Sequence, residues 1–455
     1  MRVSILVVLG IVIPTMCSAA ETGDHDQVAE TSDYVELSKE ASEQLAGGAP
    51  PPSTNFLNQQ YQVGYSARPI FGGPNSPEGQ LEEGDRVRTG AFRFPAMDDA
   101  FTKWNGWKQR MNENHGFQFS GHYSTLYQKA SDTLPGNEDS AASGILRGTA
   151  KWSLFDRGGD YEGALLFMVD HRHAFTDVPP ASFANEIGYS GVTGVLYSDI
   201  KLKVVNLNWQ QKLGGDAGLL IGRYDPSDYM NVLGTSNPWT MFSNVSTLLD
   251  SSVSYGDASW GIAGGSWLQN QWYFTAGVND ANGNVADNLA FFEGGAEFYK
   301  WVEFGWSPGK ESRYFKNIHI TTWHVDDRED VGYTSGKGVM FAANWTFNEN
   351  LMPYARAGWS DGAEENKIYD RSATIGLIYK YFARSDLGGL AINWGRLPAK
   401  YYPDEPTQTT IEAFWRFQFS RNFEIQPSLQ FLLDPANNPE ADDITLFGLR
   451  LRLTF

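Results

Sequence analysis

Cysteine is almost missing from this chain: among 455 residues there is one, Cys17, so no disulfide framework can hold the fold together. Long apolar runs are missing as well. No stretch after the first twenty residues approaches 18 consecutive apolar residues, which excludes a bundle of membrane-spanning helices. Basic charge is scarce, with 35 Lys and Arg against 54 Asp and Glu and a net charge of -19. That balance argues against nucleic acid as a partner, because phosphate contacts draw on Lys and Arg. The familiar catalytic and cofactor signatures are absent too: there is no H-E-x-x-H, no P-loop and no Gly-rich dinucleotide fingerprint after a strand, and no cofactor is expected.

What is abundant is aromatic residues and glycine: 15 Trp, 21 Tyr, 28 Phe and 47 Gly. A mean hydropathy of -0.38 would ordinarily indicate a soluble protein. One membrane class is compatible with it, the transmembrane β-barrel, which turns only every second residue toward lipid.

The N-terminus reads as a secretory signal peptide over residues 1–20. Arg2 supplies the positive region, Ile5 to Ile13 the apolar one, and Ser18, Ala19 and Ala20 the small residues before Glu21. Cys17 falls inside it, and Pro14, Thr15 and Met16 are a poor match to a lipidation box. Residues 21–90 read as an acidic, Pro/Gly-rich periplasmic segment and linker, with loop-like composition through Gly72, Gly73 and Pro74. A short helix is expected over 98–112, where Phe101, Trp104 and Met111 fall near helical spacing.

From residue 116 onward, segments of alternating polarity are divided by Gly, Asn, Asp and Pro clusters. In 117–127, Phe117, Phe119, Tyr123 and Tyr127 oppose Gln118, Ser120, His122 and Ser124. The same rule holds at 144–154, 339–347, 373–381, 411–419, 423–431 and 446–455. Around 200–209 it breaks, since Ile200, Leu202 and Val204 have the opposite parity to Val205, Leu207 and Trp209; a bulge is expected there. Strands of spanning length with aromatics near their ends favour a membrane barrel over a soluble sandwich. Within the expected barrel domain, 91–455, roughly 340 residues of strand and loop at about twenty per strand make some 16 strands. The expected fold is therefore all-β: a transmembrane antiparallel β-barrel with a short helical segment before its first strand, wide enough for an aqueous lumen.

Several ordered stretches resemble a known family. TIEAFWRFQFSRNFEIQPSLQFLLDPANNP (410–439), ATIGLIYKYFARSDLGGLAINWGRL (373–397) and LMPYARAGWSDG (351–362) resemble the C-terminal region of the carbohydrate-selective porins (porin B type) of Gram-negative outer membranes. NGWKQRMNENHGFQFSGHYSTLY (105–127) is similar to that family's helix and first strand. The resemblance implies a sixteen-stranded barrel for passive uptake of mono- or oligosaccharides, present as a monomer or homotrimer. It also implies that Phe455 is the signal read by the barrel assembly machinery. Outer-membrane lipid, including lipopolysaccharide, would then be a further partner.

Inward parity assigns Arg356, Glu412, Arg416, Glu424, Gln426, Gln430, Arg450 and Arg452 to the water side, because Arg or Lys facing lipid at mid-depth costs about 2–4 kcal/mol. Two roles are open to them: contact with sugar hydroxyls, or pairing across strands that stiffens the wall. Four other motifs are better read as structure. Gly305 to Gly309 matches G-x-S-x-G, but Pro308 lacks the amide an oxyanion hole would need after Ser307. His171 and His173 read as a loop pair with no third metal ligand. Asp280, Asn282 and Asn284 begin like a calcium loop, yet Val285 and Phe291 occupy its glycine and glutamate positions. Within Arg384, Ser385 and Asp386, the aspartate is expected to accept backbone amides at a turn.

The expected function is an outer-membrane, water-filled channel for facilitated diffusion of carbohydrates, without catalysis. The rivals are a barrel hydrolase of lipids or esters, a general porin and a secreted sugar-binding β-protein.

Overall fold

A computed structural model describes residues 71–455 apart from 285–286, 288–290, 293–294, 329–330, 349, 364–366 and 382–384. The expected signal peptide, most of the acidic segment, Val285 and Arg384 thus lie outside the described residues.

Two helices precede the sheet. The first, α1 (Pro77–Asp85), starts where Ser76 accepts the Gly79 amide through its side chain (3.2 Å), with Pro77 preset for the first turn. The second, α2 (Pro95–His115), also begins at a proline. It ends at Gly116, whose φ of 67° is left-handed and whose N–H returns to the Asn112 carbonyl. The helix expected over 98–112 is therefore present and longer at both ends. Trp104 and Trp107 of α2 pack edge-on against Phe119, extending an aromatic girdle around one rim.

Sixteen antiparallel strands follow, each paired with its sequence neighbours, and the sheet closes on itself. The seam joins β1 (Phe117–Ala130) to β16 (Asp443–Thr454), in register from His122 opposite Thr454 to Ala130 opposite Leu446. Closure removes every sheet edge, the condition for strands to cross hydrocarbon. Along β12 (Arg371–Lys380) and β15 (Phe423–Leu433), covered and exposed residues alternate: Ile375 is 63% exposed whereas Thr374 is buried. The outward set includes Tyr127, Leu146, Trp152, Ile320, Phe341, Leu390 and Phe447, an apolar belt suited to lipid.

The parity break at 200–209 is a bulge. Between β3 (Gly163–Ala174) and β4 (Lys201–Lys212), Met168 faces Asn206 and Val169 faces Val204, leaving Val205 as the extra residue. His171 and His173 belong to β3 itself, not to a loop. Their alternating pleat puts both on the outer face, where His173 meets the Tyr123 hydroxyl at 3.0 Å.

The connections differ at the two ends. At one end they are tight, as at 213–216, 269–271 and 419–422; at the other they are long, notably 175–200 and 225–258. Short turns mark the periplasmic end of such barrels.

Both long connections fold into the barrel, and so does part of the segment that composition assigns to a linker. Residues 71–90 pack inside against β1, β2 (Ser140–Phe155) and β3, with Leu81, Glu83 and Asp85 buried. Leu233, Met241, Phe242 and Leu248 of the 225–258 connection make an apolar core with the inward residues Met352, Tyr354, Ile378 and Phe414. Part of the barrel interior therefore packs like a soluble domain.

Candidate functional site

The site is the inner face of the wall. All eight residues that parity assigned inward are turned inward and buried, with Arg450 and Arg452 at 2% exposure. They do not face open water; the inward-folded segments cover them.

Five of them grip the 225–258 connection. Glu412, on β14 (Thr407–Gln418), accepts the Ser243 and Asn244 amides at 2.7 and 3.1 Å and the Thr247 hydroxyl at 2.5 Å. Arg450 donates to the Met241 carbonyl (2.9 Å) and the Ser243 hydroxyl (2.7 Å), and Gln426 donates to the same Met241 carbonyl (2.8 Å). On β11 (Leu351–Gly362), Arg356 donates to Ser236 at 2.7 Å and to the Leu248 carbonyl. Gln430 reaches both connections: it donates to the Thr193 carbonyl (3.0 Å) and accepts from Asn244 (3.0 Å). Arg416 donates to the Ser385 carbonyl at 3.3 Å.

The other pair grips the N-terminal segment. Arg452 lies 3.3 Å from both Glu83 of α1 and Glu424 of the wall. Glu83 is also paired with Arg86 (2.6 Å) and Arg88 (2.9 Å), and Arg88 reaches Glu424 at 3.3 Å. Burial works against ionisation of Glu83, but Arg86, Arg88 and Arg452 outweigh it and hold its carboxyl well below the usual range. Where α1 meets α2, burial instead prevails: it lowers Lys108 to about 8 and raises Asp85 well above its usual value, across a 4.0 Å separation.

Other polar groups inside the barrel were not singled out by sequence reasoning. Asp170 of β3 takes a bidentate pair from Arg147 (2.6 and 2.8 Å) and a contact from Arg172 (2.7 Å). Arg147 also lies over the Trp239 ring at 4.5 Å. Glu303 gathers the Asn231 amide (2.6 Å), the Thr321 hydroxyl (2.9 Å) and the Tyr273 hydroxyl (3.0 Å). The parity of Arg147 in its strand is the signal that pointed to it; Trp239 and Asn231 sit in a connection and carry no such signal.

Toward the short-turn mouth lies an open cavity of ≈ 350 Å³, bordered by Glu82, Asp160, Lys212, Asp216, Lys310 and Trp267. Deeper, between α1, the 225–258 connection and the wall, a cavity of ≈ 60 Å³ is bordered by Glu83, Arg86, Asn237, Thr240 and Arg416. At about 30 Å³ per water it has room for only a few water molecules.

Three of the remaining motifs can be placed. Ser307 donates to the Gly309 carbonyl at 2.9 Å rather than to a base. Asp280 accepts the Asn282 and Phe292 amides at 3.0 and 2.7 Å, closing its own turn. Asp386 accepts a backbone amide at 2.8 Å, that of Gln418 on the neighbouring strand. Among the described residues no cluster of three or more His, Cys, Asp or Glu is arranged to hold a metal.

A closed sixteen-stranded barrel, apolar outside and lined inside by Arg, Glu and Gln, has the architecture of a porin. Residues 330–455 match the family model "Carbohydrate-selective porin, OprB family", which covers the C-terminal part of the barrel. Among solved structures, the high-pH structure of Pseudomonas putida OprB aligns over 78% of this chain and 97% of its own, with TM-score 0.61 at 15% identity, which shows a shared fold. The low-pH structure of the same porin aligns over the same shares at TM-score 0.47 and 13% identity. An engineered Rh. blastica porin aligns over 74% of this chain and all of its own, at TM-score 0.43 and 13% identity. No curated protein matches this chain in sequence.

Proposed function

We propose that the protein is exported by its N-terminal signal peptide to the outer membrane, where it forms a channel for facilitated diffusion of mono- or oligosaccharides. The observation that carries this reading is the division of each strand into two chemistries. In β14 to β16 the inward positions carry Glu412, Arg416, Glu424, Gln426, Gln430, Arg450 and Arg452, while outward neighbours such as Trp415, Leu429 and Phe447 are apolar. Arginine forks and carboxylates are the donor and acceptor types that can replace a sugar's hydration; with the inward-folded segments in place they bond to protein instead. A channel needs no nucleophile, and the Ser307 hydroxyl is engaged by a backbone carbonyl.

The test is single-channel conductance in planar bilayers, with liposome swelling in mono- and disaccharides. The expected result is an ion current that falls when sugar is added, together with swelling by the permeant sugar. Conductance indifferent to every sugar would reduce the reading to a general porin. Ester hydrolysis that disappears in Ser307→Ala would replace it with a barrel enzyme.

A further inference from the structure

The N-terminal segment inside the barrel enters and leaves by the same mouth. Its start, Phe71, packs on Trp267 and Tyr273, which flank the tight 269–271 turn, and the Phe71 carbonyl accepts from Arg313 at 2.5 Å. Its exit runs along another tight turn, where the Ala91 and Phe92 amides bond the carbonyls of Gln418 and Phe419 (both 2.9 Å). Between them the chain reaches inward to Asn75. That carboxamide accepts from Arg147 (2.8 Å) and from the Trp239 indole (2.9 Å), and donates to Asp228 (2.7 Å).

We propose that residues 71–92 are a removable plug, which closes the pore to sugars and must withdraw through the short-turn mouth before a sugar can cross. The proposal rests on the porin reading. Three features support it. The sixteen-strand ladder closes through β1 and β16 without this segment, so withdrawal breaks no bond between wall strands. The gap left beside the segment, ≈ 60 Å³ between Glu83, Arg86, Thr240 and Arg416, is far smaller than the ≈ 350 Å³ cavity at the short-turn mouth, so the segment narrows the path through the barrel. The latch is ionic: Glu83 and Arg88 of the plug join Arg452 and Glu424 of the wall, and Arg86 braces Glu83 from within the segment. Buried ion pairs repay their desolvation only narrowly, so such a latch fixes position without the grip of an equally large apolar contact. Because the Asn75 carbonyl oxygen already satisfies Arg147 and Trp239, withdrawal would leave those donors for a sugar hydroxyl, and sugar would compete with the plug.

Close approach also gives a way to dislodge the segment. A β-carbon at Gly84 would fall 1.8 Å from Ser120 Oγ and 2.6 Å from its Cβ, so Gly84→Leu must push α1 off the wall.

The experiment compares bilayer conductance and liposome sugar uptake for the full chain, Gly84→Leu, Glu83→Gln, a chain lacking 72–90, and a chain with the plug covalently held. The last is Asn75→Cys with Asp228→Cys, bridged by a short bifunctional thiol reagent; Cys17 lies in the proposed signal peptide. Heat-modifiable gel migration verifies a closed barrel in each. Several-fold higher conductance in Gly84→Leu and the deletion, with flux abolished by the bridge and restored when a cleavable bridge is cut, is the expected result. Equal flux in the full, deleted and bridged chains overturns the plug and leaves the porin reading intact. Absence of any current from a folded, deleted barrel overturns the porin reading on which the plug rests.

Discussion

Arg450 and Arg452 lie two residues apart on one strand and hold different things: Arg450 the 225–258 connection, Arg452 the N-terminal segment. Parity made their inward direction legible, because charge on the lipid face is so costly. Their partners were not legible, since Glu83 and Arg452 are 369 positions apart. Glu412 is the residue on which the 225–258 connection most depends. In Glu412→Ala two buried amides and a hydroxyl lose their acceptor, at about 1–3 kcal/mol for each buried group left unsatisfied. The expected outcome is faster hydrogen exchange at Ser243 and Asn244 with noisier, larger currents, while Glu412→Gln, which keeps an acceptor oxygen, changes both less. Glu162, at the end of the 156–162 connection, gives a pH test. Burial opposes its ionisation, but Lys151, Ser153 and Lys212 prevail and hold it at about 2 against an ordinary 4.5. A lowered folded-state value means that its contribution is complete above 4.5 and is lost as pH falls toward about 2. The unfolding temperature of wild type should therefore approach that of Glu162→Gln across this window, by gel migration after stepwise heating.

Among the elements, the strands were the readable part. Period-two alternation located them because one face meets lipid and the other does not. Even the failure of the rule at 200–209 was informative, since a bulge at Val205 produces it. The segment 71–90 falls in the part of the chain that Pro/Gly-rich, loop-like composition through Gly72, Gly73 and Pro74 assigns to a linker. Its order comes from Ser76 capping α1 and from ion pairs with distant strands, neither of which leaves a hydrophobic pattern. The connections at 175–200 and 225–258 were equally opaque, since their apolar residues pack on the inward face that parity reserves for polar groups. A strand-level prediction separates the two faces. Ile375→Arg, outward on β12, is expected to cost about 2–4 kcal/mol and to reduce the heat-modifiable folded fraction in vesicles. Arg371→Lys, which keeps a cation at the strand's end, is the control and should leave that fraction unchanged.

For the whole molecule the critical event is closure of one seam. There the Phe455 amide donates to the Gly121 carbonyl (2.9 Å), the Gly121 amide donates back (3.0 Å), and the Phe455 ring covers Gly121. The backbone bonds of Phe455 complete the β1–β16 ladder; a role for its ring in assembly is a separate proposal. They can be separated because only the ring is lost in Phe455→Ala. If the ring serves recognition, purified Phe455→Ala refolds into detergent or vesicles as wild type does, but its folded fraction in the outer membrane of cells falls. If the ring mainly seals the seam, both measurements fall together, and Gly121→Leu, whose side chain would collide with the ring, reproduces the defect in purified protein. Equal assembly of Phe455→Ala and wild type in cells would remove the signalling role and leave closure to the backbone pair alone.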